Sequence, residues 1–156
     1  YEGDKGTTTM GELAKRMAKE ESHAKIIAKA FSSFPDALIP IEDMIALLRK
    51  LKANGYGVYL LSNYNEYFLR SISKLGIEKD IDGYVYSYPE RITKPNRQIY
   101  ELLLSRFSLD PSTCLFIDDR KENILGAKEA GIAYTYLYKK DTEKLKEYLV
   151  ENGIRL

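Results

Sequence analysis

The sequence has no tryptophan, only one cysteine and only one histidine among its 156 residues. A single cysteine, Cys114, cannot form an internal disulfide, which excludes a disulfide-stapled secreted domain. The sequence also contains no uninterrupted apolar run of about 18 residues, the length that predicts a transmembrane helix. No signal sequence with a charged start and an apolar centre is present either, so we expect a cytoplasmic protein.

An excess of charge of one sign is also missing. The chain has 24 Lys and Arg residues against 23 Asp and Glu residues, a net charge of +1. Such a balance gives no field that would recruit nucleic acid or an anionic membrane, and we expect neither as a partner. Hydrophobic residues make up 44% of the chain and no segment is repeated or low in complexity, which predicts an ordinary globular fold.

Helix and strand patterns alternate along the chain. Residues 10–34 have helical spacing with a break near residues 21–23, and a second helix follows Pro40 and stops at Asn54 and Gly55. Continuous or alternating apolar runs then predict strands, each followed by a helical pattern, over residues 57–63, 82–88, 113–119 and 132–138. This alternation predicts a three-layer α/β fold, in which a parallel sheet carries helices on both faces.

Polar side chains follow the first three predicted strands. Ser62 and Asn63 end the first strand, Lys94 lies in the loop beyond the second, and Asp118 and Asp119 end the third. Ligands bind beyond the carboxyl ends of parallel strands, so these side chains are expected at one site. Two adjacent carboxylates repel each other unless positive charge lies between them, and a Mg²⁺ ion would let both stay charged. Lys94 would act as a point charge on phosphate oxygens. The set therefore suits a divalent cation and a phosphoryl group held together.

Three sequence motifs resemble those of a known family. In this order, "VYLLSN", "ITKPNRQIY" and "LFIDDRKENILGAKEAGI" are similar to the second, third and fourth motifs of the haloacid dehalogenase superfamily, and most closely to its phosphatases with a small helical cap. The resemblance covers residues 38–138, and the segment "YEGDKGTTTMGEL" looks like the last part of the cap. It implies a haloacid dehalogenase-like Rossmannoid core in residues 38–156 and the C-terminal part of a helical cap in residues 1–37.

From its chemistry and its place at the strand end, Asn63 is expected to donate hydrogen bonds to the phosphoryl group, as is Ser62. The resemblance implies the other roles. Ser62 would bind the transferring phosphoryl group. Lys94 would hold the phosphoryl group and the nucleophile. Asp118 and Asp119 would serve the Mg²⁺ site.

Two further residues, Asn123 and Arg91, can be compared with the family's motifs. Asn123 would help to order the acidic loop. The family often has glycine where this chain has Arg91, which affects the shape of the loop before the lysine.

The family's nucleophilic aspartate is missing. In the family it lies on a first strand, N-terminal to all three motifs and in the middle of the sheet, with a second aspartate two residues later. The segment "EGDKGTTT" does not supply this pair, because no apolar strand precedes Asp4 and Gly6 stands two residues later. Thr8 or Thr9 is instead interpreted as a helix cap. We therefore interpret the chain as a fragment without its first strand, whose open sheet edges favour self-association.

The predicted function is that of a Mg²⁺-dependent phosphatase core. It would act on a small phosphorylated metabolite through an aspartyl-phosphate, and the chain alone would be inactive because the nucleophile lies outside it. A non-catalytic phosphate-binding or regulatory module and a phosphomutase of the same family are the alternatives. Dehalogenation is less favoured because it needs no acidic metal site. A phosphoacceptor receiver domain is disfavoured because its acidic pair precedes its other site residues, whereas here the order is Ser62, Lys94, Asp118.

Overall fold

The computed structural model describes residues 2–156. Backbone contacts divide them into two compact units. The first consists of the segment up to Pro40 together with Ser62–Lys79 and Tyr86–Thr93, and the second of Ile41–Leu61, Asp80–Val85 and Lys94–Leu156. The cap boundary predicted after residue 37 stays a prediction.

Eight α-helices, four strands and two 3₁₀ turns are formed by the described residues. In chain order they are α1 (Met10–Met17), α2 (Glu21–Ser33), a 3₁₀ turn (Phe34–Ala37), α3 (Glu42–Ala53), β1 (Tyr59–Ser62), α4 (Phe68–Leu75), β2 (Gly83–Tyr86), α5 (Ser87–Glu90), α6 (Arg97–Arg106), a 3₁₀ turn (Pro111–Thr113), β3 (Leu115–Asp118), α7 (Lys121–Glu129), β4 (Tyr134–Leu137) and α8 (Thr142–Glu151). None of the helices between residues 2 and 156 has both the length and the apolar character that a membrane crossing requires.

In the first unit, α1 and α2 form a helical pair. Thr9 caps α1 through a capping box with Glu12, one of the two threonines expected in that role. The break between the helices falls after Met17, where Ala18 is extended, three residues before the position that the apolar spacing predicted. Glu66 adds a second cap, because its Oε1 accepts a hydrogen bond from the Met10 amide at 2.7 Å.

The first unit also contains the turn that ends the second strand. The predicted strand over residues 82–88 stops at Tyr86, because the Ser87 hydroxyl accepts the Tyr64 amide at 3.0 Å and donates to the Tyr64 carbonyl at 3.2 Å. Arg91 ends α5 with φ 56° and ψ 23°, the left-handed region that favours glycine. The glycine that the resemblance led us to expect at this position would adopt this conformation without strain.

The strands form two separate two-stranded sheets, β1 with β2 and β3 with β4. They belong to the second unit except for Ser62 and Tyr86, the last residues of β1 and β2. Strands β3 and β4 are parallel, with pairings running from Leu115 opposite Tyr134 to Asp118 opposite Leu137. Within residues 2–156 no sheet pairing joins β1 to β3, so each of these strands has one unpaired edge. The resemblance places the family's first strand between these two.

Helices cover both faces of the β3–β4 sheet. Side chains alternate along β3, so that Leu115 and Ile117 face one side and Phe116 the other. On the first side α3 and α8 bury a cluster formed by Leu47, Leu145 and Leu149, to which Met44, Leu51, Leu115, Ile117, Tyr136, Tyr138, Ile154 and Leu156 add partly buried side chains. On the other side Phe116 meets Tyr100 of α6 edge to face, with ring centroids 5.3 Å apart.

The start of the β1–β2 sheet is fixed by one aspartate. The Asp82 carboxylate accepts the Val58 amide at 2.8 Å and pairs with Lys52, and the Asp82 amide donates to the Val58 carbonyl at 2.7 Å. The hydrogen bond from Lys52, followed by that from Val58, lowers the pKa of Asp82 below its ordinary value. This carboxylate therefore joins α3 to the residues that directly precede β1 and β2.

Candidate functional site

A buried ion pair lies at the carboxyl ends of β1 and β3. The Lys94 ammonium donates to Asp118 Oδ2 at 2.7 Å and to the Leu61 carbonyl, also at 2.7 Å. The side chain of Lys94 is 10% exposed and that of Asp118 6% exposed. One lysine thus joins the main chain of β1 to the last residue of β3, although no sheet hydrogen bonds connect these strands.

Asp118 is held on both carboxylate oxygens. Its Oδ1 accepts the Arg120 amide and the Asn123 side-chain amide, each at 2.9 Å, while Oδ2 accepts Lys94. Asp118 is the last residue of β3, directly before the turn into α7. This position places its carboxylate against the first residues of that helix. Both carboxylate oxygens of Asp118 are therefore fixed by hydrogen bonds, directly beside the side-chain nitrogen of Lys94.

Asn123 lies in the first turn of α7 and is 3% exposed. Its main-chain carbonyl accepts the Tyr100 hydroxyl at 2.8 Å. Its side-chain Oδ1 is buried and has no hydrogen-bond partner among residues 2–156. Burial, followed by the nearby charge of Asp118, raises the pKa of Tyr100, which keeps the phenol protonated and able to donate.

A glycine allows α7 to approach the lysine loop. A Cβ on Gly126 would lie 2.3 Å from the Pro95 carbonyl oxygen and 3.0 Å from the Tyr100 ring. Because the first of these atoms belongs to the main chain, a larger residue would have to displace either the helix or the loop next to Lys94. Gly126 therefore helps to set the distance between Lys94 and the residues of α7.

The other candidate site residues are Asp119, Ser62 and Asn63. Asp119 is exposed at the turn into α7, beside Asp118 in the chain. Ser62 is the last residue of β1, and both Ser62 and Asn63 belong to the first unit, whereas Lys94 belongs to the second. A joint role of Ser62 and Asn63 with Lys94 stays a prediction. The structure brings together Lys94, Asp118 and, through its side-chain amide, Asn123.

The acidic pair suits Mg²⁺ in its donor chemistry. This ion usually takes one or two carboxylates and completes its octahedral shell with water and phosphate oxygens. Asp119 offers an exposed carboxylate, and each oxygen of Asp118 has two lone pairs, of which Oδ2 uses one for Lys94. No cluster of three or more His, Cys, Asp or Glu side chains suited to a metal occurs between residues 2 and 156, so a cation here would depend on water or phosphate for its other ligands.

Two residues of the site were not among the predicted ones. Tyr100 lies in α6 and Phe116 in β3, and neither was among the candidate residues at the strand ends. Yet the Lys94 ammonium lies 5.5 Å from the centre of the Phe116 ring, and the Tyr100 hydroxyl reaches Asn123. A phenol tip that bonds a main-chain carbonyl leaves no periodic signal in a sequence, so spacing alone gives no means of finding it.

Several known proteins are similar to this chain in sequence. A sesquiterpene phosphatase from Aspergillus oryzae is 30% identical over 112 residues, which cover 71% of this chain and 57% of the relative. A glyceraldehyde 3-phosphate phosphatase from Methanothermobacter thermautotrophicus is 29% identical over 119 residues, 75% of this chain and 53% of the relative. The chain therefore spans a little over half the length of these two relatives.

A solved structure agrees with these sequence matches. A haloacid dehalogenase family enzyme from Bacteroides thetaiotaomicron, in complex with magnesium and inorganic phosphate, superposes with a TM-score of 0.73 at 30% identity, covering 88% of this chain and 73% of that one. The sequence model of the haloacid dehalogenase-like hydrolases matches residues 6–131. The sequence motifs, the fold and the match to the family's sequence model agree. The chain belongs to the haloacid dehalogenase-like hydrolase family.

Proposed function

We propose that this chain is the core of a Mg²⁺-dependent phosphatase that acts on a small phosphorylated metabolite. The observation that carries the proposal is the buried pair of Lys94 and Asp118 at adjoining strand ends, with Asp119 next to it. It combines a fixed cation with two carboxylates, the charges that a phosphoryl group and a divalent cation need together. The phosphatases among the relatives support the same reading.

Each residue has a defined task in this proposal. Asp118 and Asp119 would hold Mg²⁺, which when bound neutralises charge on the phosphoryl oxygens. Lys94 keeps an ammonium at the strand ends as a point charge for phosphate oxygens. Ser62 and Asn63 would donate hydrogen bonds to the same oxygens, and Asn123 holds the orientation of the Asp118 carboxylate.

The nucleophile in this proposal is an aspartate outside the chain. Its carboxylate would attack phosphorus while the bond from phosphorus to the substrate oxygen breaks, and the leaving oxygen would take a proton from the family's second aspartate, two residues later. Water would then hydrolyse the aspartyl-phosphate. We expect the 156-residue chain to bind phosphate but to release none from a phosphate ester, and we expect the whole protein to act in the cytoplasm.

Binding and turnover are tested separately. Titration calorimetry of the chain with inorganic phosphate, with and without Mg²⁺, should show binding that Mg²⁺ strengthens and that Lys94→Met abolishes. Lys146→Met is the matched control, because Lys146 pairs with Glu143 at the surface and should leave binding unchanged. Absence of phosphate binding in the presence of Mg²⁺ would overturn the proposed site.

Turnover is measured with p-nitrophenyl phosphate. We expect no rate above the Mg²⁺ background for the chain alone. Hydrolysis that Asp118→Asn abolishes would show that the chain contains its own nucleophile. Phosphate binding without turnover in the longest natural form of the protein would instead favour a non-catalytic phosphate-binding module.

Self-association is the second part of the proposal. The unpaired edges of β1 and β3 offer main-chain donors and acceptors to another strand. We expect sedimentation velocity to show oligomers whose proportion rises with concentration. A single monomeric species over a hundredfold concentration range would contradict this.

A further inference from the structure

We propose that the Tyr100 hydroxyl is a positioning group of the site, which acts through Asn123 to fix the carboxylate of Asp118. The inference rests on the proposed function, because it assigns a task in the same phosphate and Mg²⁺ site. It adds a residue that forms no direct bond to Lys94 or Asp118 in the structure.

Three hydrogen bonds in series carry the inference. The Tyr100 hydroxyl donates to the Asn123 carbonyl at 2.8 Å, the Asn123 side-chain amide donates to Asp118 Oδ1 at 2.9 Å, and Lys94 donates to Asp118 Oδ2 at 2.7 Å. Tyr100 is fully buried and Asn123 is 3% exposed, so water does not compete for these bonds. The series begins on α6, passes through the first turn of α7 to the tip of β3, and ends at Lys94 in the loop before α6.

The hydroxyl and the ring of Tyr100 have separable tasks. The ring packs edge to face on Phe116, and a phenylalanine would keep this contact. The hydroxyl bonds a carbonyl inside α7, and such a carbonyl already accepts the amide four residues later in a regular helix. The hydroxyl therefore uses the second lone pair of that carbonyl and anchors the helix start, instead of satisfying an otherwise unpaired group.

Asn123 needs such an anchor because its side chain is hydrogen-bonded through its NH₂ group but not through its Oδ1. An ionised Asp118 only accepts hydrogen bonds, so the Asn123 NH₂ group must face it. The Asn123 Oδ1 then has no partner in the described part of the chain. The amide orientation thus depends on its bond to Asp118 and on the backbone of α7, which the Tyr100 hydroxyl ties to α6.

The test compares Tyr100→Phe with Tyr148→Phe. The Tyr148 hydroxyl also donates to a main-chain carbonyl, that of Thr135 at 3.4 Å, so both variants lose a hydroxyl-to-carbonyl bond. Groups behind the ligands of a site typically contribute ten- to a hundredfold to affinity or activity, and for Tyr100, one bond further away, we expect about a three- to tenfold loss of phosphate affinity with Mg²⁺. Tyr148→Phe should bind phosphate like the wild type.

A double variant distinguishes positioning from general loosening of the fold. In the Asn123→Ala background, Tyr100→Phe should have no further effect on phosphate affinity, because the side-chain amide through which Tyr100 acts on Asp118 is gone. An equal loss in both backgrounds, or wild-type affinity in Tyr100→Phe, would overturn the inference. If the wild type itself binds no phosphate, the proposed function fails, and a second readout still tests the inference.

The second readout needs no phosphate. In the wild type the side-chain NH₂ protons of Asn123 should exchange slowly with solvent in NMR spectra, as expected for a buried amide on a carboxylate. Tyr100→Phe should accelerate their exchange, whereas Tyr148→Phe should not. Fast exchange in the wild type, or unchanged slow exchange in a folded Tyr100→Phe, would refute the inference.

Discussion

Replacing Lys94 by methionine tests the buried ion pair by leaving Asp118 without its cation. Methionine keeps most of the length and apolar volume of the lysine stem, so the change removes chiefly the ammonium. The Asp118 carboxylate, 6% exposed, then keeps the Arg120 amide and the Asn123 side-chain amide as donors. The Leu61 carbonyl also loses the hydrogen bond that Lys94 donates.

The expected loss of stability follows from this partial compensation. Removing one partner of a buried pair typically costs about 3–5 kcal/mol. Two donors remain on Oδ1 of Asp118, so we expect about 3 kcal/mol, the lower end of that range. This is a large part of the 5–15 kcal/mol by which domains are usually stable. The variant should therefore unfold at a clearly lower urea concentration.

The assay is equilibrium urea unfolding followed by circular dichroism. The control Lys146→Met removes an ammonium from an exposed pair with Glu143 and should unfold like the wild type. The double variant Lys94→Met with Asp118→Asn should be more stable than Lys94→Met alone, because no unpaired buried charge remains. A Lys94→Met variant as stable as the wild type would refute the idea that the pair is buried and coupled.

Three further changes test other features. Arg91→Gly should raise the free energy of unfolding by about 0.5–1 kcal/mol in the same urea assay, because glycine adopts a left-handed conformation without strain; a loss would show that the Arg91 side chain outweighs its backbone. Gly126→Ala should lower it by about 1–2 kcal/mol despite the better helix propensity of alanine, since the new Cβ meets the Pro95 carbonyl; equal stability would show that the loop yields freely. The pKa of Asp82 is lowered, so its contribution to the free energy of unfolding is complete above the ordinary pKa of an aspartate and is lost as the pH falls below that value. Between about pH 5 and pH 3 the wild type should therefore lose more stability than Asp82→Asn, and parallel pH profiles would contradict this assignment.

The sequence predicted the order of the elements well, because each has a local signal. Each of the four predicted strands is present and is followed by a helix, as the alternation of patterns predicted. The break between the first two helices was displaced, since the apolar spacing continues through Ala18, whose extended backbone ends α1. The early end of the second strand depends on the bond between Ser87 and Tyr64, a contact over 23 residues that no local pattern contains.

For the site, the chemistry was easier to predict than the contacts. Placing Lys94 and Asp118 at strand ends was enough to expect them near each other, but the sequence suggested ligands between them, whereas the structure shows a direct ion pair. The Leu61 carbonyl is a main-chain group that any residue could supply, so nothing in the sequence marks it as a partner of Lys94.

The bonds that build the site also bear on the order of folding. They join residues 24, 5 and 23 positions apart, from Lys94 to Asp118, from Asn123 to Asp118 and from Tyr100 to Asn123. Closing such short loops costs little chain entropy, and the cost grows only slowly with loop length. Local structure of this kind forms readily before distant segments meet. The charged centre of the second unit therefore needs only one stretch of the chain to assemble, apart from the Leu61 carbonyl, and we expect it to be among the first parts of the protein to acquire native contacts.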